Sequence, residues 1–364
     1  MVQQKLEQID RELIELLGKR IAVLAESELP SLDEQLDEFT PTLAQAGVPE
    51  FVWKSIVTSC IAAASHLHPP SPANVKPRRI TVIGGRGMMG RFFARRLSAA
   101  GHDVSILEHD DWEHSDKLLA LAKVDLVLVC VPIKHTLDVI RKAVKYLKPT
   151  TALVDITSIK TPIVQAMLEY HTGPVLSLHP MFGPGIKSFL SQKVVVCPGR
   201  GAEAFQWFLD LIEREGGNLL VCTPEEHDQM MVAIQAIRHF STLGLGVFLA
   251  EEGIDIGRSL EFSSPLYRLQ INMVSRLFTQ DASLYMGIML TVEERREAIG
   301  RLVATYNRLA DLVEQKDQAA LICEFEVARS FFRQEAARSL KESDYVISSL
   351  NTLLTASAVE QQNY

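Results

Sequence analysis

The feature that most constrains this chain is a glycine-rich turn, Gly85-Arg86-Gly87-Met88-Met89-Gly90. It follows a short β-branched run, residues 80–84, that predicts a strand, and residues 90–100 predict a helix. In this context G-x-G-x-x-G indicates a dinucleotide site: a tight turn, a close backbone approach to the pyrophosphate, and close packing of helix on strand. The helix N-terminus adds N–H donors for the phosphates. We therefore predict that the cofactor-binding residues are Gly85, Arg86, Gly87, Met88, Met89 and Gly90.

A second predicted strand, residues 103–107, ends at Glu108, which lies 18 residues after Gly90. An acid at this place can accept hydrogen bonds from a ribose 2′-OH and would repel a 2′-phosphate. The pattern therefore favours NAD over NADP. Arg86 within the turn leaves NADP open, and Glu108 could also be an ordinary exposed acid.

Further short apolar runs continue the alternation of strands and helices, and they lie at 124–131, 152–156, 175–178 and 194–197. Buried strands joined by helices are typical of a parallel sheet with right-handed crossovers. We predict an α/β doubly wound Rossmann domain over 78–222. Thr223-Pro224-Glu225-Glu226 resembles a helix start, and 223–364 is predicted to be all-helical. Its many apolar residues indicate a homodimer interface or a core of its own.

The first 68 residues predict a separate helical domain. Apolar residues at 6, 9, 13, 16 and 17 form one helical stripe, 48–64 predicts another helix, and the Pro-rich segment 69–77 is predicted to be a linker. His66 and His68 lack further nearby ligands, and the five cysteines form no C-x-x-C pair. We therefore expect neither a metal site nor a disulfide framework.

Charge and hydropathy exclude other classes of protein. The net charge is −8, from 37 basic and 45 acidic residues, and no Lys/Arg-rich block indicates a nucleic-acid partner. No run of 18 apolar residues and no signal peptide is found, so we expect a cytoplasmic protein without a membrane partner.

Candidate chemical groups cluster where predicted strands end, which is where open α/β sheets bind ligands. Val131 and Pro132 follow one strand and are assigned to the cofactor site, Ser158 follows another, and His179 follows a third. A neutral imidazole can take the proton of an alcohol that gives up a hydride. Ser158 could contact the same hydroxyl or His179. A strand-end histidine bonded only to backbone is the alternative.

Polar residues also mark the helix that starts at Pro224. His227, Gln235, Arg238 and Thr242 fall on one face together with Met231, and His239 flanks them. This stripe indicates the wall of a pocket for an anion, or else a solvated face. Arg268 and Arg276 could each hold a carboxylate bidentately, or serve as ion-pair partners in the fold.

In their order along residues 78–345, these motifs resemble those of the bacterial bifunctional chorismate mutase/prephenate dehydrogenase family. They include Leu-His-Pro-Met-Phe-Gly-Pro at 178–184, Glu-His-Asp-Gln at 226–229 and Arg-Leu-Phe-Thr-Gln-Asp at 276–281. The resemblance implies oxidation of prephenate by NAD with loss of CO2, and a product 4-hydroxyphenylpyruvate. It also implies that His179 bonds the ring hydroxyl, that Ser158 assists, and that Arg276 holds a carboxylate. Substrate-pocket positions implied in the same way are Lys160, His227, His239, Arg268 and Tyr285.

The mutase part departs from the family pattern. Arg20 matches one catalytic arginine, but Gln3 stands at an earlier arginine position and the later lysine position falls near Ser31. Residues 21–53 contain no Lys or Arg and seven acids, and residues 1–68 hold five cations against eleven acids. Chorismate is a dianion whose rearrangement needs several cations. We therefore predict that 1–68 is a degenerate domain without mutase activity, kept for packing or dimerisation.

Three alternatives remain open from the sequence. The chain could prefer arogenate, which differs by an amino group on the side chain of the substrate. It could retain both activities. It could also be a non-catalytic NAD-binding regulator, although the presence of His179, Ser158 and Arg276 argues against that.

Overall fold

The computed structural model describes residues 2–26, 34–35, 38–64, 76–183 and 185–362, with side chains up to residue 357. The chain forms two compact units. The first comprises 1–131, 136–157 and 162–223, and the second comprises 132–135, 158–161 and 224–364. Two short segments thus belong to the second unit although the residues beside them in the sequence belong to the first.

A seven-stranded sheet forms the centre of the first unit, in the order β2-β1-β3-β4-β5-β6-β7. Its strands are β1 (Arg79–Ile83), β2 (Asp103–Leu107), β3 (Leu126–Val129), β4 (Ala152–Asp155), β5 (Val175–Pro180), β6 (Lys193–Arg200) and β7 (Asn218–Val221). The first five strands run parallel. The doubly wound sheet predicted from the sequence is confirmed.

The last two strands correct the prediction in detail. β6 pairs antiparallel with β5, and β7, which the sequence analysis did not identify, pairs parallel with β6. A parallel pair needs a crossover of a dozen or more residues, usually through a helix. The described residues between β5 and β6 contain no helix, so the chain returns antiparallel.

The helices of this part of the chain are α1 (Val2–Glu26), α2 (Thr40–Ala46), α3 (Glu50–Ala64), α4 (Met88–Ala99), α5 (Ser115–Ala120), α6 (Ile133–Ala143), α7 (Thr161–Tyr170) and α8 (Gln206–Arg214). β3 shows how the sheet is buried on both faces. Leu126 and Leu128 belong to one apolar cluster, and Val127 and Val129 to another. Such double burial explains why this strand has a continuous apolar sequence rather than an alternating one.

The N-terminal helices leave their apolar stripe uncovered. No residue of α1 is buried, and Leu6, Ile9 and Leu16 are half or more exposed. Arg20 donates from Nη2 to Gln35 Oε1 at 2.9 Å, and its guanidinium lies 5.4 Å from the centre of the Trp53 ring. Residues 69–75 of the predicted linker lie outside the described residues.

The second unit is helical, as predicted. Its helices are α9 (Pro224–Met231), α10 (Arg238–Glu251), α11 (Ile256–Glu261), α12 (Pro265–Phe278), α13 (Ala282–Leu290), α14 (Glu293–Glu314), α15 (Gln318–Phe332) and α16 (Ala336–Gln362). A π-helical segment, Val232–Ile237, joins α9 to α10. Within the described residues, the helix Pro224–Glu251 is long and apolar enough to cross a membrane by length and composition, a weak indication that core helices also give.

Candidate active site

The glycine-rich turn has the geometry expected for a dinucleotide loop. Gly87 lies just before α4 in an extended conformation, with φ −64° and ψ 163°. A Cβ on Gly90 would lie 2.2 Å from the Gly84 carbonyl oxygen, whereas a Cβ on Gly87 would meet that atom at 3.2 Å. Gly90 therefore serves helix–strand packing, and Gly87 keeps an exposed backbone at the helix N-terminus.

Gly84, the residue before the motif, was missed in the sequence analysis. Its φ is +79°, and a Cβ there would lie 2.5 Å from the Cys130 carbonyl oxygen. Only glycine suits this combination of positive φ and close approach. The signal in the sequence was the pair Gly84-Gly85, of which only the second fits the G-x-G-x-x-G spacing.

Glu108 lies at the end of β2, as predicted, and contacts the turn directly. The Arg86 N–H donates to Glu108 Oε1 at 2.6 Å, while the Glu108 N–H donates to Asp111 Oδ2 at 2.8 Å. The carboxylate is thus oriented by the loop before any ligand binds. Arg86 and Met88 are exposed, and Met89 is half-buried. The exposed turn and the acid beside it fit a dinucleotide with a free ribose 2′-OH.

His179 lies near the carboxyl end of β5 and is only 3% exposed. It stands opposite Val195 of β6 in the antiparallel pair. Val131 follows β3 and is half-buried, and Pro132 is exposed. The turn after β1, Val131 after β3 and His179 in β5 share the carboxyl edge of the parallel strands, which is the edge where open α/β sheets bind ligands.

The segment Ser158–Thr161 is held by one carboxylate of the second unit. The Lys160 N–H donates to Asp228 Oδ1 at 2.9 Å, and the Thr161 N–H donates to Asp228 Oδ2 at 2.8 Å. His227 Nδ1 lies 2.8 Å from Asp228 Oδ1. Burial alone would raise the pKa of Asp228, but the hydrogen bonds from His227, Thr161 and Lys160 lower it from 3.8 to about 2.

Lys160 and His227 are fully buried in this unit, and Ser158 is half-buried. Burial lowers the pKa of His227, and the charge of Lys160 acts in the same direction, whereas the hydrogen bond that His227 donates to Asp228 acts to raise it. His227 is therefore neutral near pH 7. A neutral ring that donates from Nδ1 carries its lone pair on Nε2.

His239 and Tyr285 form a second buried pair on α10 and α13. Their ring centres are 4.7 Å apart in an edge-to-face arrangement. The Tyr285 hydroxyl donates to Gln280 Oε1 at 2.9 Å. Burial, together with the charges of Arg238 and Arg295, lowers the pKa of His239 to about 4.

The two candidate arginines of α12 differ in their surroundings. Arg268 is half-buried and donates from Nη2 to the Leu260 carbonyl oxygen at 2.7 Å. Arg276 is exposed, and its charge acts to lower the pKa of Tyr285 against the larger effect of burial. Arg268 thus has a hydrogen-bond partner in the fold, whereas Arg276 is exposed.

Arg295, which the sequence analysis did not single out, is the largest fully buried side chain of the described residues. It donates from Nη1 to the Ile288 carbonyl oxygen and from Nη2 to the Ser158 carbonyl oxygen, both at 2.9 Å. Its sequence context, Glu293-Glu294-Arg295-Arg296-Glu297, is typical of an exposed helix surface, so no signal set it apart.

Comparison with known proteins gives the family. The model of the prephenate dehydrogenase nucleotide-binding domain matches residues 101–221, and that of the prephenate dehydrogenase dimerization domain matches residues 223–326. The T-protein of Haemophilus influenzae is 35% identical over 97% of this chain and 97% of its own length. The chain belongs to the prephenate dehydrogenase family.

A second curated relative and one solved structure are consistent with this. The T-protein of Enterobacter agglomerans is 42% identical over 75% of this chain and 73% of its own length. The crystal structure of the Aquifex aeolicus prephenate dehydrogenase, in complex with hydroxyphenyl propionate and NAD+, superposes with a TM-score of 0.55. It is 18% identical, covers 72% of this chain and 100% of that one, and therefore supports the fold. The family recognised from the sequence motifs is confirmed.

Proposed function

We propose that this chain is an NAD-dependent prephenate dehydrogenase whose mutase part is inactive. The observation that carries the dehydrogenase is the buried His179 near the carboxyl end of β5. It lies in the same unit, and at the same edge of the parallel strands, as the dinucleotide turn.

In this mechanism NAD, when bound, accepts a hydride from the ring carbon that bears the hydroxyl of prephenate. His179 takes the hydroxyl proton as the hydride leaves, and the C–CO2 bond then breaks so that its electron pair makes the ring aromatic and CO2 is released. His179 returns the proton to the phenolate oxygen, which gives 4-hydroxyphenylpyruvate. Because aromatisation drives the reaction, the protein mainly has to position the substrate and accept a proton. Ser158 assists at the hydroxyl, and Arg276 holds a carboxylate.

We assign the cofactor-binding role to the turn 85–90, to Glu108 on the ribose 2′-OH, and to Val131 and Pro132, which follow β3. The substrate pocket is lined by Lys160, His227, His239, Arg268 and Tyr285. The match to a dimerization domain supports a homodimer, and we expect it in the cytoplasm.

The loss of mutase activity rests on charge. Arg20, the one matched mutase arginine, lies against Gln35 and Trp53. Lys19, its neighbour, pairs with Glu15 at 2.7 Å. Residues 21–53 contain no Lys or Arg that could bind a dianion or stabilise charge on its ether oxygen.

The test offers prephenate, arogenate and chorismate in parallel to the purified full chain with NAD, and then with NADP, and measures NADH or NADPH formation. We expect turnover with prephenate and NAD and none with chorismate. Turnover from chorismate would refute the charge argument. Silence with all three substrates would refute the dehydrogenase.

His179→Asn provides the residue-level control for this assay. Asparagine keeps a polar group of similar reach but cannot take a proton at neutral pH. We expect turnover to fall by at least about a thousandfold with NAD affinity unchanged, measured by tryptophan fluorescence. Substantial activity in this variant would remove His179 as the proton acceptor.

A further inference from the structure

Segment 158–161 is anchored by two ionic side chains that the proposed chemistry does not use. Asp228 takes the N–H groups of Lys160 and Thr161, at 2.9 Å and 2.8 Å, one on each carboxylate oxygen. Arg295 donates to the Ser158 carbonyl oxygen at 2.9 Å. Three of the four residues in the segment therefore have a backbone group fixed by a charge from α9 or α14.

Arg295 is buried where it contacts the Ser158 carbonyl oxygen, and burying a charged side chain costs free energy. Arg295 is 1% exposed, burial lowers its pKa, and Asp228 is the acid whose charge opposes that effect. Removing a guanidinium from water costs several kcal/mol in proteins unless its donors find strong acceptors. Here the backbone carbonyls of Ile288 and Ser158 accept from the two Nη atoms, while the buried Nε has no hydrogen-bond partner among the described residues.

Asp228 has a second effect on the same group of residues. Its Oδ1 accepts from His227 Nδ1 at 2.8 Å as well as from the Lys160 N–H. One carboxylate oxygen thus sets both the backbone position of Lys160 and the ring orientation of His227. A partner of this kind fixes which ring nitrogen carries the proton.

Resting on the proposed function, we propose that Asp228 and Arg295 are positioning residues that fix segment 158–161 and the His227 ring for reaction. They touch neither substrate nor cofactor. They act through Ser158, whose hydroxyl must meet the ring hydroxyl of prephenate, and through Lys160 and His227. A displacement of about 1 Å in such groups can cost a hundredfold in rate.

The test uses Asp228→Asn in the full-length protein. The amide keeps the shape of the side chain but replaces one acceptor oxygen with an NH2 group, which opposes a backbone N–H. We expect kcat with prephenate to fall about 10- to 100-fold, while KM for NAD stays within about twofold. Glu225→Gln, an exposed acid on the same helix, is the matched control and should leave both constants unchanged.

Arg295→Lys tests the other anchor. A single ammonium replaces the planar fork that reaches two carbonyls, so we expect a similar fall in kcat. Arg296→Lys is its control, because Arg296 is exposed on the same helix and also donates to a carbonyl, that of Leu290. Melting temperature and circular dichroism establish that each variant is folded.

A double-mutant cycle separates positioning from general loss of structure. Because Arg295 donates to Ser158 itself, Arg295→Lys should cost less than about threefold in a Ser158→Ala background, where the hydroxyl that it positions is already gone. Multiplicative losses would overturn the proposal, as would wild-type kcat in Asp228→Asn or full activity in Ser158→Ala. An inactive wild-type chain would instead overturn the proposed function itself.

Discussion

At the scale of single residues, some polar side chains of the helical unit are hydrogen-bonded within the protein and others are exposed to solvent. Arg268 and Arg276 lie on one helix, and their residue type and spacing offered no means of choosing between them, so only the family resemblance assigned the carboxylate to Arg276. The structure distinguishes them, because Arg268 is bonded to the Leu260 carbonyl and Arg276 is exposed. Burial and hydrogen bonding are tertiary properties that spacing along a helix does not encode.

We expect Arg276→Ala to change substrate binding and Arg268→Ala to change stability. Loss of Arg276 removes a bidentate carboxylate contact, so KM for prephenate should rise by about tenfold or more while the melting temperature is unchanged. Loss of Arg268 removes one hydrogen bond to the part-buried Leu260 carbonyl oxygen, which still accepts from the Ser263 hydroxyl at 2.7 Å, so stability should fall by about 0.5–1.5 kcal/mol. Steady-state kinetics and thermal unfolding of both variants test this contrast, and a reversed result would contradict it.

Residue-scale electrostatics also predict a pH dependence of stability. The pKa of His239 is lowered from 6.5 to about 4, so the unfolded chain binds more protons than the folded chain between these values. The folded state therefore has its full stability, as far as His239 is concerned, above pH 6.5. Part of this free energy of unfolding is lost as the pH falls toward 4. The loss is on the order of 3 kcal/mol for this group.

Denaturant unfolding of the wild type and of His239→Gln from pH 7 to pH 4 measures that contribution. Glutamine does not titrate, so the variant should lose less stability over the same range. Equal losses in the two proteins would show that His239 does not contribute. Asp228 acts only below this window, because its pKa shift from 3.8 to about 2 affects stability in that lower range.

At the scale of elements, the strand–turn–helix of the dinucleotide site could be predicted almost completely. Glycine is required at these positions for steric reasons that act locally in the sequence. β1 and α4 differ from the predicted spans by at most two residues at either end. The antiparallel β6 and the strand β7 could not be predicted, because strand direction depends on how the connection passes over the sheet. The π-helical segment 232–237 was also unforeseen, since nothing in Val-Ala-Ile-Gln-Ala-Ile distinguishes a wider helical turn.

The turn predicts two different outcomes for two similar substitutions. Gly90→Ala would place a Cβ 2.2 Å from the Gly84 carbonyl oxygen, so the strand and the helix must separate and the protein should be strongly destabilised. Gly87→Ala meets the same atom at 3.2 Å and should fold. Its methyl group stands in the proposed path of the pyrophosphate, so NAD affinity should fall by about tenfold or more.

Thermal unfolding and NAD titration of the two variants distinguish these outcomes. A stable Gly90→Ala protein would contradict the packing role of this glycine. Unchanged NAD affinity in Gly87→Ala would contradict the assignment of the phosphate site to this turn.

At the scale of the whole molecule, the notable feature is a set of apolar side chains that are exposed in the single chain. Ile322 and Phe325 of α15 are 54% and 65% exposed, and they lie within the match to the dimerization domain. Exposed apolar patches of this kind are typical of protein interfaces. The sequence predicted the helices and their apolar character, but a single sequence does not show which apolar faces remain exposed.

We expect the chain to be a dimer of 40.6 kDa protomers, and Phe325→Lys to weaken it by burying a charge in the interface. Sedimentation velocity at micromolar concentration measures the change. Leu119→Lys, on an exposed position of α5 in the first unit, is the control and should leave the mass unchanged. A monomeric wild-type chain would contradict the prediction.

Segments 132–135 and 158–161 belong to the second unit although the neighbouring residues belong to the first. This arrangement affects how the gene can recombine. A gene cut between codons 223 and 224 would look like a clean separation of two domains. The carboxyl-terminal fragment, however, would carry Asp228 without the Lys160 and Thr161 amides, and Arg295 without the Ser158 carbonyl. Recombination at that junction would therefore pair Asp228 and Arg295 with a segment from another enzyme, so we expect the two coding regions to be inherited together unless that segment places the same backbone groups.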